Sequence, residues 1–184
     1  MDITTVLVIV VASAVYYIAR TFNSLVIRRN HVTESWSNVD TELNRRYDLI
    51  PNLLKIVKGY AAHERETLRR VSELRNICKA DHGSIRHQED TEKQLVAAMR
   101  TLFAVVEAYP DLKASEHFLA LQKELVNTED RIQAARRFYN GNVRDYSILY
   151  EGFPSKFVAS LFSFIVLDYF NVDPAVRSAP SISG

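Results

Sequence analysis

Apolar residues fill the first stretch of the chain without interruption and then thin to every third or fourth position, and this change of pattern divides the sequence. From Ile3 to Ala19 all seventeen residues are apolar or small (ITTVLVIVVASAVYYIA), with Asp2 before the run and Arg20 after it. As a helix rising about 1.5 Å per residue, the run spans roughly 26 Å, the short end of what a bilayer core needs. Phe22 and Leu25 can extend it, and Arg20 can snorkel its charge to the surface. Tyr16 and Tyr17 stand where an interfacial aromatic belt would lie. A cleaved secretory signal is the competing reading, since Ala12-Ser13-Ala14 resembles a cleavage site. Such signals open with basic residues, however, and none precedes this run. The expectation is a retained transmembrane anchor over residues 1–21. Arg20, Arg28 and Arg29 follow the span and no Lys or Arg precedes it. The positive-inside rule therefore predicts a single-pass protein of the cell (inner) membrane, with its N-terminus outside and everything after the span in the cytoplasm.

After the span the apolar residues recur at threes and fours, which is the helical period. Val32, Trp36, Val39, Leu43 and Tyr47 form one stripe on a helix that continues from the anchor. Asp48-Leu49-Ile50-Pro51 predicts a break and restart, because Asp caps helices and Pro belongs in a first turn. The restarted helix is expected to reach about Cys78 through Leu54, Val57, Ala61, Leu68, Val71 and Leu74. Lys79 to Asp90 loses the period and reads as an exposed loop. Thr91 to Tyr109 regains it, and Pro110 ends that helix. From Ser115 a stripe through Phe118, Leu125, Ile132, Tyr139 and Tyr146 to Leu149 runs for nearly five heptads, a coiled-coil-like spacing that can pack within a bundle or against a second copy. Gly141 interrupts it at a cost of about 1 kcal/mol relative to alanine.

Gly152 and Pro154 punctuate the chain before a last apolar helix expected from Phe157 to Phe170. Its eleven uncharged residues between Lys156 and Asp168 would reach about 16 Å, too short to cross a bilayer. Lys156, Ser160 and Ser163 would line a narrow polar stripe along it. Two readings stay open: a core helix closing the bundle, or a membrane or oligomer contact through Phe157, Leu161, Phe162, Phe164 and Ile165. Residues 171–184 are rich in Ser, Pro and Ala and read as a disordered tail. The predicted fold class is all-α, an N-terminal transmembrane helix followed by an elongated antiparallel helical bundle over residues 22–170.

At 184 residues there is room for one sizeable domain beside the anchor, and 23 basic against 22 acidic residues give no field to attract nucleic acid. The single cysteine, Cys78, excludes an intramolecular disulfide.

Candidate chemistry is thin. His63-Glu64 lacks the second histidine of a zinc-protease helix, since Thr67 occupies that place, and a helix-surface polar contact is the expected role. Cys78, His82 and His87 surround a predicted loop without a clear fourth ligand, so no metal and no cofactor is expected. Gly83-Ser84 lacks the context of a nucleophile elbow, leaving nucleophilic catalysis without a candidate. Arg45-Arg46-Tyr47-Asp48 forms a possible interaction corner, where two guanidinium groups beside a helix start could hold an anion. Its alternative is a structural ion pair with Asp48 or Glu42. Lys123, Arg131, Arg136 and Arg137, balanced by Glu124, Glu129 and Asp130, read as a solvated helix face.

Several strings resemble a known family. Arg29-Asn30-His31-Val32, Ser35-Trp36-Ser37-Asn38-Val39-Asp40 and Leu43-Asn44-Arg45-Arg46-Tyr47-Asp48-Leu49-Ile50-Pro51-Asn52-Leu53 are similar to the LemA family of bacterial membrane proteins. Tyr109-Pro110-Asp111-Leu112-Lys113, Thr128-Glu129-Asp130-Arg131-Ile132 and Tyr139-Asn140 agree, in order, through to about Phe164. The resemblance implies one N-terminal membrane helix, an elongated antiparallel helical domain, and no established enzymatic activity, cofactor or catalytic set. The family often carries a second Tyr-Asn pair where this chain has Tyr146-Ser147. The expected function is a noncatalytic membrane scaffold that binds itself or another membrane protein and no nucleic acid. Membrane remodelling or lipid sensing through the C-terminal apolar segment is the alternative.

Overall fold

The computed structural model describes residues 2–81 and 83–171. Every regular element among them is helical: α1 (Ile3–Tyr60), α2 (Arg65–Ala80), α3 (Ile85–Val106), α4 (Pro110–Lys113), α5 (Glu116–Glu151) and α6 (Ser155–Leu161). The expected tail from residue 172 onward lies outside the described residues.

Two compact units share the two longest helices. In the first, α1 as far as Asn38 meets Arg137–Tyr169. Arg28 donates to the Asp145 carbonyl at 3.3 Å, Asn142 donates to the His31 carbonyl at 3.4 Å, and Trp36 meets Tyr139 edge-on at 5.3 Å. Numbers that rise along α1 fall along α5, so the two run antiparallel. Burial begins at Thr21 and Leu25, whereas Ile3–Tyr17 is exposed throughout. An apolar stretch left this bare on a helix long enough to span is what a membrane anchor requires.

The second unit takes the described residues from Val39 to Arg136, with Phe170 and Asn171. Short turns send α1, α2, α3 and α5 up and down around Leu53, Leu95, Leu102 and Phe118, all buried. Phe103 of α3 packs edge-on against Phe118 of α5 at 6.4 Å.

Four boundaries differ from the expected ones. Helix α1 passes unbroken through Asp48–Pro51. Pro51 has no N–H for the Tyr47 carbonyl four residues back, and Nε of Arg75 on α2 donates to that carbonyl instead, at 2.9 Å. The true break comes at Ala61–Glu64, just after Gly59, where the chain turns from α1 into α2. The expected loop over Lys79–Asp90 shrinks to 81–84, because Ser84 caps α3 by accepting from the His87 amide at 3.3 Å. Arg86, His87 and Asp90 face outward on that helix, while Ile85, Gln88 and Glu89 are half-buried.

The last apolar segment is helical only as far as Leu161. The Ser163 amide donates to the Ser160 carbonyl at 3.2 Å, and the Phe164 amide to the Ala159 carbonyl at 3.0 Å. Ser163 has φ 54°. Together these form a Schellman ending, with Ser163 in the left-handed position that glycine usually fills. Ser163 is therefore off the helix, and the expected Lys156–Ser160–Ser163 stripe does not form.

Candidate functional site

Two polar or apolar assemblies stand out, one in each unit. In the second unit, the Arg45–Asp48 corner does not gather its guanidinium groups around an open anion site. Successive helix residues point about 100° apart, and each finds a different partner. Arg46 is buried, pairing with Glu92 of α3 and, at 2.9 Å, with Glu129 of α5. Tyr47 donates to the other oxygen of Glu92. Arg45 reaches Glu124 of α5 at 2.7 Å, and Asp48 accepts from Lys79 of α2 at 2.7 Å. The corner thus ties α1 to three helices, and its ion pairs are to Glu92, Glu129, Glu124, Lys79 and, at 3.7 Å, Arg75 rather than to Glu42 or within the corner.

A buried carboxylate is tolerable only with charge and hydrogen bonds around it. Glu92, 2% exposed, has both. Burial pushes the Tyr47 phenol well above its ordinary range, so it stays protonated and remains a donor. Sequence reasoning missed Glu92, an acid beside a stripe of apolar positions. It also read Glu124 and Glu129 as solvated when they are the acids that reach across to α1.

His63 and Glu64 lie in the turn between α1 and α2 rather than on a helix surface. Glu64 accepts from the Tyr109 hydroxyl at 3.3 Å. Cys78 is buried, and burial raises its thiol pKa, the opposite of what a thiolate ligand needs. His87 contacts Asp81 at 2.7 Å, and His82 lies outside the described residues. Among the described residues no three His, Cys, Asp or Glu side chains gather as a metal site.

In the first unit, α6 and the irregular strap after it pack on the start of the folded part of α1. Phe162 and Phe164 lie on Phe22, with ring centroids 4.8 and 5.7 Å away. The Arg29 guanidinium sits over the Phe164 ring at 5.7 Å. Two buried tyrosines of α5, seven residues apart, hold the strap from beneath: Tyr146 donates to the Ile165 carbonyl at 2.8 Å and Tyr139 to the Asp168 carbonyl at 2.7 Å. Burial raises both phenol pKa values, keeping them donors. Of the residues expected to make a membrane or oligomer contact, Phe157, Leu161, Phe162 and Ile165 are exposed and Phe164 is half-buried. Phe22, Tyr139 and Tyr146 organise that patch. The heptad spacing signalled the tyrosines only as apolar positions.

The chain is similar in sequence to several named proteins. The magnetosome protein MamQ 2 of Paramagnetospirillum magneticum is 26% identical over 197 residues, covering 92% of this chain and 72% of its own length. The magnetosome protein MamQ of Magnetospirillum gryphiswaldense is 23% identical over 179 residues, covering 84% and 66%. Protein LemA of Metamycoplasma hominis is 27% identical over 118 residues, covering 64% and 54%. The chain therefore spans 54% to 72% of the length of these relatives. A family model described as the LemA family matches residues 35–183, a stretch that takes in α1 from Ser35 and every later helix, and the chain belongs to that family.

Proposed function

We propose that the chain is a noncatalytic, membrane-anchored scaffold whose helical units assemble with a second copy or with another membrane protein. The observation that carries this reading is the division of one helix. The leading part of α1 is apolar and bare, and from Thr21 onward the same helix is packed. An anchor continuous with the folded part confines that part to the membrane surface, raising its effective concentration for partners without demanding a tight site. The polar side chains at the Arg45–Asp48 corner support a structural role, since each is engaged by a neighbouring helix. The reading includes an orientation, with the helical units on the cytoplasmic side, supported by Arg20, Arg28 and Arg29 after the span.

Chemical crosslinking in the native membrane, followed by detergent extraction, tests the scaffold reading. A discrete homo-oligomer or a single recurrent partner is expected. A strictly monomeric product at native abundance would sink it.

A further inference from the structure

We propose that residues 157–166 make a second membrane contact, an apolar strap fixed beside the point where the anchor helix leaves the bilayer and lying in the acyl–headgroup boundary of the same membrane. The inference goes beyond the scaffold reading and rests on the anchor alone.

Depth supplies the first argument. The run from Ile3 to Ala19, about 26 Å as a helix, falls roughly 4 Å short of a hydrocarbon core of about 30 Å. Asp2 closes the other end with a charge, so the deficit is filled after Ala19. Two or three more residues bring the boundary to Phe22. Phe162 and Phe164 rest on that ring. Consecutive Cα atoms are about 3.8 Å apart, so Leu161 and Ile165 sit within a few ångströms of the same level.

What the strap presents there is apolar. Phe157 is 69% exposed, Leu161 70%, Ile165 66% and Val166 61%. A contiguous bare patch of this kind marks a membrane or a partner, and its level against Phe22 selects the membrane, because acyl chains already adjoin the anchor there.

Non-helical backbone beside a bilayer must have its polar groups satisfied within the protein. The amides of Phe162, Ser163 and Phe164 donate to carbonyls of α6, and the carbonyls of Ile165 and Asp168 accept from Tyr146 and Tyr139. Arg29 sits over the Phe164 ring, and Arg20 and Lys156 stand close to Phe22 and Phe157 along the chain, a charge suited to anionic headgroups.

The test uses the full-length chain carrying Cys78→Ala, labelled with an environment-sensitive dye at Val166→Cys, at Leu161→Cys, or at Phe138→Cys as an exposed control on α5. Each is placed in vesicles of phosphatidylglycerol and phosphatidylethanolamine, and in nanodiscs holding one copy. The dyes at 161 and 166 are expected to be blue-shifted and quenched by headgroup-proximal doxyl lipids at least about threefold more than the control. Iodide quenching equal to the control would overturn the proposal. So would lipid-like shielding that vanishes in single-copy nanodiscs, which would make the occupant a second copy. In both failures the protein still co-floats with vesicles and the anchor stands; loss of co-flotation would overturn the anchor as well.

Discussion

Pro51 and Arg75 form a pair that neither residue type announces. A proline inside a helix removes one hydrogen bond and crowds the preceding turn, at a cost of about 3 kcal/mol. Here the carbonyl left over, that of Tyr47, accepts from the Arg75 guanidinium at 2.9 Å. If that is the guanidinium's role, its worth depends on the proline. Arg75→Met should destabilise the chain by about 1–3 kcal/mol, the penalty of a stranded buried acceptor. In a Pro51→Ala background, where the restored amide serves Tyr47, the same change should cost less than half as much. Thermal or urea melts of the four proteins in mild detergent read the coupling. Equal costs in both backgrounds would show that Arg75 acts through its other contacts, with Asn76 at 3.0 Å and Asp48 at 3.7 Å, and not through the Tyr47 carbonyl. Sequence reasoning placed a helix break here because the compensating donor lies 28 residues beyond the carbonyl it serves, out of reach of any local rule.

Helix α6 shows the same blindness at the scale of an element. Its Schellman ending puts Ser163 at φ 54°, where a Cβ meets backbone, so the glycine that normally flags a helix end is missing from the sequence. Apolar periodicity then ran on past the true terminus. Ser163→Gly should therefore stabilise the first unit, by up to about 1 kcal/mol, without altering the strap. A rise in melting temperature with unchanged circular dichroism is the expected result; a fall would mean that the serine side chain contributes more than its backbone strain costs. Helices themselves were legible: α1, α3 and α5 carry the apolar spacing that their burial requires. Their partners were not. Arg46 read as part of an anion-holding corner or as an ion pair with Asp48 or Glu42, and only the meeting of α1, α3 and α5 makes it the counter-ion of Glu92. The strap was half legible, since its apolar residues were visible while the tyrosines holding its carbonyls looked like ordinary core positions.

For the molecule as a whole, orientation in the membrane is a question of charge rather than packing. Asp2 stands just ahead of the span, while Arg20, Arg28 and Arg29 follow within ten residues of its end. Lys and Arg near the ends of a span decide which side is retained in the cytoplasm, and acidic residues contribute little. Removing the arginines would confuse the outcome, because Arg28 hydrogen-bonds the Asp145 carbonyl and Arg29 covers Phe164. Adding cations ahead of the span leaves the folded units untouched. Asp2→Lys with two further lysines inserted after it should divert a measurable share of chains into the inverted topology, whereas Asp2→Asn should not. Protease added to intact cells, with tags at the C-terminus, reads both. The unaltered protein should be protected and the lysine variant partly cleaved. Cleavage of the unaltered protein from outside would reverse the proposed orientation, and with it the side of the membrane on which any partner of the scaffold must be sought.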